Sequence, residues 1–404
     1  MSSYFCILGA VNLIAAVIGF FLLPKPRHKW IKQATLVAQL EAAKEEFGRA
    51  VAIQGDTAVV AAPCEYLPDC DRQGTVHVYA GGDSWYLQAK LFVPPHHTGS
   101  YSFFGSSVAI DGNTVLIAAD SLNTTDERTP LYIFTRTGEN WSMQAQLRLP
   151  YAPQVPIFYQ SVALAGDTAV AGTKGKVYIF RRNEATGIWS YETQLRCSKK
   201  DNFFGDTVAI ANNTIIVSGG DKGCASAYIF VHDSATGDWL EQAQLNAHKS
   251  NGSSNTVAIS GNTAIIGTPG ENLQRGAAYV FQRQLSTGEW LRTAKLVPGD
   301  VPPFFTLGFG GSIAIDGDTI VVGTSTKTFT SILGFNWNSG GAYVFVRSIK
   351  GGWLQSTKLI PQDVEPEQNY GIVVSISGDK IIVATGKHSN AICIFKRVNS
   401  VLLT

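Results

Sequence analysis

Trp30-Ile31-Lys32-Gln33-Ala34-Thr35-Leu36 is the first of seven copies of one short pattern: Trp, three residues, Ala or Thr, a polar residue, Leu. The other copies begin at Trp85, Trp141, Trp189, Trp239, Trp290 and Trp353. Each of those six ends a longer repeat, whereas the copy at Trp30 precedes the first repeat and the C-terminal repeat lacks one. A ring needs that arrangement if its first strand completes its last unit.

The copy at 204–245 shows the repeat in full. Phe204–Ile210 alternates apolar with small or polar residues, a strand signal. Ala211-Asn212-Asn213-Thr214 is a turn, and Ile215-Ile216-Val217 is a continuous β-branched run. A Gly-rich loop, a third strand at Ala227–Phe230 and the Trp strand follow. The core position of the first strand recurs at Val51, Val108, Val162, Val208, Val257, Ile313 and Val374, in steps of 57, 54, 46, 49, 56 and 61 residues. A dipeptide such as Gly55-Asp56, Gly112-Asn113 or Gly317-Asp318 follows each, which is hairpin chemistry. Four short strands in about fifty residues is a propeller blade. The sequence therefore predicts an all-β chain: a seven-bladed β-propeller over residues 30–397, closed by its N-terminal strand, with a tail at 398–404. A β-solenoid is the alternative, but it leaves the displaced Trp strand unexplained and two edges open.

Composition agrees. Among 404 residues, 40 are glycine and only 16% are charged, as suits a β protein rich in tight turns. The net charge of +1 offers no basic field for nucleic acid. Ahead of the repeats, Phe5–Leu23 is an apolar run interrupted by Asn12, long enough to cross a bilayer as a helix. Residues 24–29, Pro-Lys-Pro-Arg-His-Lys, form a short basic linker. Residues 1–23 read as a transmembrane anchor or a signal segment; a signal peptide wants a basic n-region and a small-residue cleavage site, which are not evident. Positive-inside logic places the linker in the cytoplasm.

The first strands carry Phe47-Gly48, Phe104-Gly105, Phe204-Gly205 and Phe309-Gly310, with Tyr370-Gly371 close to them. Ala61-Ala62-Pro63 ends the second strand of blade one, and Thr268-Pro269-Gly270 echoes it. The chain thus resembles the FG-GAP repeat family, whose propellers include the head of integrin α chains. The resemblance implies an external, non-catalytic interaction or adhesion module, cell-surface or secreted. Several integrin-like blades carry a calcium loop between the first two strands. Calcium takes six to eight oxygen ligands. Turns such as Asp316-Gly317-Asp318 supply at most two carboxylates, so no metal or other cofactor is expected.

Little else carries chemistry. His96-His97 is the only histidine cluster and lacks a third metal ligand. His77 reads as a half-buried packing residue of the third strand, and Asp363 with Glu365 as dispersed loop acids rather than a catalytic pair. No nucleophile elbow, zincin motif or Walker loop is present. A propeller-type hydrolase, or a subunit of an enzyme complex, is the alternative function, and needs carboxylates or histidines converging on the axis. The repeated Trp residues read as packing between blades. Trp337 stands outside the pattern, with Phe329 and Phe335 in the long loop 323–340. Together with Tyr101, Phe304 and Phe305 in blade crossings, these aromatics are the candidate ligand-binding residues for a protein or glycan. Cys64 with Cys70 and Cys197 with Cys224 are candidate disulfides, or else buried thiols. Asn123, Asn140, Asn212 and Asn251 begin glycosylation sequons.

Overall fold

A computed structural model gives the fold. It describes residues 28–38, 46–65, 73–93, 103–119, 131–150, 159, 161–198, 201, 203–220, 224–248, 255–300, 308–324, 331–332, 335–336, 341–360, 370–385 and 391–399. Seven four-stranded antiparallel sheets follow one another along the chain. Blade three is typical, with strands Ser161–Ala165, Thr168–Thr173, Lys176–Arg182 and Trp189–Leu195 in spatial order. The first strands pack side by side round an axis, and that of blade seven, Tyr370–Ser377, also lies against that of blade one, Val51–Gln54. The chain is an all-β, seven-bladed propeller.

Blade seven draws on both ends of the chain. Its strands at Tyr370–Ser377, Lys380–Thr385 and Ala391–Asn399 take His28–Val37 as their outermost neighbour. Trp30 pairs with Arg397 and Leu36 with Ile392, across one bulge. The last strand runs to Asn399, two residues into the stretch read as tail. Within loop 323–340, Ser331–Ile332 and Phe335–Asn336 form a small hairpin. Residues 1–23 lie outside the described residues, among which no helix is long and apolar enough to cross a membrane.

The Phe-Gly pairs explain how blades stack. Phe104 packs edge-on against Tyr132 and Phe134 of its own blade, centroids 5.4 and 6.1 Å apart; Phe204 and Phe309 repeat this on Tyr228 and Phe230, and on Tyr343 and Phe345. The glycine then touches the preceding blade. Gly310 has φ +93°, and a Cβ there would lie 2.5 Å from the Ala277 carbonyl oxygen of blade five. A Cβ on Gly105 would lie 3.0 Å from the Ala61 methyl of blade one. Only glycine offers that backbone conformation and that gap together.

Two belts of hydrogen bonds cross the joints. Beside the axis, the residue before each hairpin turn accepts from the N–H of the next blade's turn. Ser377 takes Gly55 at 3.1 Å, Asp111 takes Gly166 at 2.5 Å, Ser260 takes Gly317 at 3.2 Å and Asp316 takes Gly378 at 2.6 Å. Gln54 takes Gly112 in the same way. At the two remaining joints the residue is Ala165 or Ala211, with no side-chain acceptor. At the rim, the Trp indole N–H donates to a Gln on the preceding outer strand: Trp85 to Gln33, Trp141 to Gln88, Trp189 to Gln144 and Trp290 to Gln242, at 2.9–3.2 Å. Guanidinium groups of Arg136, Arg182, Arg347 and Arg397 lie over Trp141, Trp189, Trp353 and Trp30. The tryptophans are joints between blades.

Blades three and four share neither clasp. Glu192 occupies the rim position there and bonds Arg181, while the buried Trp239 Nε1 finds no acceptor. Ser161 Oγ, accepting from Val208 N–H at 3.1 Å, still crosses that joint.

Two outcomes follow for thermal unfolding. Gly310→Ala should cost roughly 3 kcal/mol or more, from positive φ and backbone overlap together. Ala165→Asp should supply the missing acceptor opposite Asn212 N–H and add about 0.5–1 kcal/mol. Unchanged melting of Gly310→Ala would refute the stacking account; a loss in Ala165→Asp would refute the belt.

Candidate functional site

Side chains on the face where chain segments cross from blade to blade repeat a second pattern. The third strand presents an aromatic group directly opposite the penultimate position of the fourth: His77 with Lys90, Tyr132 with Gln146, Tyr178 with Gln194, Tyr228 with Gln244, Tyr279 with Lys295, Tyr343 with Lys358. Where the partner is lysine, an acid completes the group. Register sets this up, since a β-ladder aligns those two positions in every blade.

Blade one has the most enclosed version. Glu65 follows the second strand and is 2% exposed. Its carboxylate accepts from Thr75 Oγ1 and Lys90 Nζ and lies 2.8 Å from His77 Nε2. Burial alone raises its pKa, but the bonds from His77, Lys90 and Thr75 outweigh it and hold the group down at about 2. Phe47 meets the His77 ring edge-on at 5.3 Å, Tyr79 lies near-parallel to it at 6.4 Å, and His77 Nδ1 has no partner. His77 is thus fully buried and bonded rather than half-buried packing.

Blade five rebuilds the group with other residues. Glu271 heads a short turn, Glu271–Gln274, whose last three residues have left-handed φ of 50–66° and which the sequence did not announce. It accepts from Thr268 Oγ1 at 2.8 Å, Tyr279 OH at 3.0 Å and Lys295 Nζ at 2.6 Å. In blade six Lys358 lies 3.6 Å from Asp300 and 5.0 Å over the Tyr343 ring; burial lowers its pKa, against the pull of Asp300. In blade four Asp201 accepts from Tyr228 OH at 3.0 Å and Gly220 N–H at 2.6 Å. These acids tie loops to strands, and each already has its donors.

The axial cavity, about 540 Å³, is lined by the starts of the first strands. Ser107, Ser161 and Ser312 accept there from the Val162, Val208 and Val374 N–H groups of the next blade, at 3.0–3.1 Å. Thr207 and Thr256 donate to Asn255 and Gly310 carbonyls. Five of the six hydroxyls among the described lining residues are thus spent on neighbouring blades, while the buried Ser106 Oγ has no partner. The charged groups among the described lining residues are Glu46 and Arg49. No cluster of three His, Cys, Asp or Glu able to hold a metal occurs among the described residues. Turn carboxylates are engaged as well: Asp167 with Arg182, Asp318 with Arg347, and Asp56 and Asp379 with Lys380.

Tyr101, Phe304, Phe305, Phe329, Trp337, Cys70, His96, His97, Asp363, Glu365, Asn123 and Asn251 lie outside the described residues. Phe335 falls in the small hairpin. Cys197 and Cys224, read as a candidate disulfide or else as thiols, are thiols not joined to one another, the first half-buried and the second exposed. Burial, then the nearby Asp201 charge, raises the Cys197 pKa, so it is held as the neutral thiol. Cys64 is buried beside Glu65. Asn140 is exposed at the start of its strand, and Asn212 is exposed in its hairpin at φ 52°.

The acid-lysine groups escape a reading of the sequence because their members sit in three or four separate segments. The one signal is lysine in place of glutamine just before the final Leu of the Trp strand, at Lys90, Lys295 and Lys358.

The FG-GAP repeat matches residues 30–79 and 290–345. Among solved structures, the chain is similar to a candidate 6-phosphogluconolactonase from Bacteroides uniformis, 11% identical, TM-score 0.50, over 78% of this chain and 85% of that one. A protein from Lactobacillus plantarum is 13% identical, TM-score 0.50, over 81% of this chain and 95% of the other. At such identity the likeness is one of fold. A search of the curated proteins finds no match.

One measurement checks the blade-one group. The folded-state pKa of Glu65, about 2, lies below its ordinary 4.5, so its contribution is complete above that value and disappears as pH falls towards 2. Glu65→Gln should cost about 2–3 kcal/mol at neutral pH and flatten the acid limb of stability between those values. An unchanged acid limb in urea titrations would show that Glu65 is not held as described.

Proposed function

The chain is an FG-GAP repeat β-propeller, and on that premise we propose that it is a non-catalytic interaction or adhesion module, attached to a membrane through Phe5–Leu23 or secreted, with the propeller outside the cell. Its ligand is a protein or a glycan, taken on the crossing face by Tyr101, Phe304, Phe305, Phe329, Phe335 and Trp337. The observation that carries the reading is the engagement of the polar groups. Around the axis all described hydroxyls but Ser106 are bonded to neighbouring blades, and Glu65, Glu271, Asp201 and Asp300 on the crossing face each hold a structural partner. General acid–base chemistry needs a titratable group within reach of substrate and with spare hydrogen-bonding capacity. A rigid scaffold carrying long aromatic loops suits recognition instead.

The hydrolase alternative draws on the propeller class and on the name of one structural neighbour. Two assays separate the readings. The full chain, incubated with 6-phosphogluconolactone, should hydrolyse it no faster than buffer. On a glycan array and on displayed extracellular protein domains it should bind a defined subset, with binding reduced at least tenfold, about 1.4 kcal/mol, by Trp337→Ala at unchanged melting temperature. Turnover abolished by Glu46→Gln or Arg49→Ala would establish the enzyme instead.

A further inference from the structure

The outer strands are not alike round the ring. In each, one residue follows the Trp and one follows the final Leu. In blade seven these are Ile31 and Val37, in blade one Tyr86 and Phe92, in blade six Leu354 and Ile360, all between 41% and 55% exposed. Blade five continues the series with Leu291 and Val297. In blades two and three the same places hold Ser142 and Arg148, and Ser190 and Arg196. Blade four has the exposed Leu240 but Asn246 in the second place; exposed apolar residues standing singly, as Leu240, Met143 and Ile188 do, are ordinary, whereas matched pairs on consecutive blades are not.

The outer strands of blades five, six, seven, one and two contain no carboxylate, whereas those of blades three and four carry Glu192 and Glu241; of the five, blade two lacks the apolar pair. Lys29 and Lys32 are exposed on the blade-seven strand. In the turn leading to the blade-six strand, Lys350 follows Ile349, which is fully exposed. Asp83, in the turn before the blade-one strand, is the nearest opposing charge in sequence. Apolar side chains interspersed with lysine, with acids excluded, is the chemistry of a surface that meets anionic lipid.

Chain continuity selects the same sector. The apolar run Phe5–Leu23 ends four residues before His28, where the blade-seven outer strand begins. Four extended residues reach at most about 14 Å. A strand of this length extends about 33 Å. A run embedded in a bilayer would therefore bring the blade-seven rim against the headgroups, with blades six and one on either side.

We propose that the outer rim of blades six, seven and one docks on an anionic lipid bilayer, the paired apolar side chains at the acyl boundary and the lysines among the headgroups. The proposal rests on the membrane-attached form of the function above, but in the orientation in which the basic linker and the propeller face the anionic cytoplasmic leaflet. Its test uses the full chain, in phosphatidylcholine vesicles with and without phosphatidylserine, exposed to a lipid-soluble carbene photolabel and mapped by peptide. Peptides covering 30–37, 85–92 and 353–360 should be labelled several-fold more than 141–147 and 189–195, and more so with phosphatidylserine. The combined variant Ile31→Glu, Tyr86→Glu, Leu354→Glu should lose that excess at unchanged melting temperature, its three sites being exposed. Rim labelling without labelling of 5–23 would support the docking surface and sink the anchor. Labelling of 5–23 with even labelling round the rim would keep the anchor and overturn the docking surface. A lipid-free dimer in sedimentation, abolished by the same variant, would assign the rim to a second copy and overturn it too.

Discussion

A Cβ on Gly310 would fall 2.5 Å from the backbone of the blade before it, and the other Phe-Gly glycines stand in similar places. That approach is the constraint from which the rest of the ring follows. Small residues late in the second strand, such as Ala61 and Gly267, face the glycine of the next blade. The phenylalanine beside it fills the space between two third-strand aromatics. The repeat signature is thus a packing contact split between neighbours. It can decay, as at Phe158-Tyr159 in blade three and Asn251-Gly252 in blade five, without destroying the ring, because the five joints that keep it and the polar belts still fix the spacing.

The belts are distributed unevenly. Both clasps are present where blades seven, one, two and three meet, one of the two at the next joints round from blade four, and neither between blades three and four. In a ring of seven that bare joint lies across the axis from blade seven. The sheet made from both chain ends thus has a doubly clasped joint on one side and a singly clasped one on the other, and the least restrained joint is farthest from it.

The architecture was legible because its signals are periodic. Trp30, Trp85 and their counterparts mark one register in every blade, and the Gly-containing hairpins mark another. The polar groups were not legible for the opposite reason. Glu65 reaches Thr75, His77 and Lys90 only once three strands and a loop are aligned, and Glu271 uses Tyr279 where blade one has histidine. No local pattern contains them. The tryptophans show both sides: their spacing gave the blades, but their Gln acceptors sit on the neighbouring repeat, some fifty residues away.

The pairing of His28–Val37 with Ala391–Asn399 also determines how the ring would carry a load. A tether entering at residue 27 pulls on one end of that ladder. Drawn along the strand, it loads the nine paired positions in shear, all at once, so that none yields before the others. Drawn outward from the rim, it would peel them one at a time from His28. A rim held flat against its support keeps the pull in line, and a module meant to grip under tension would then meet force along its strongest direction.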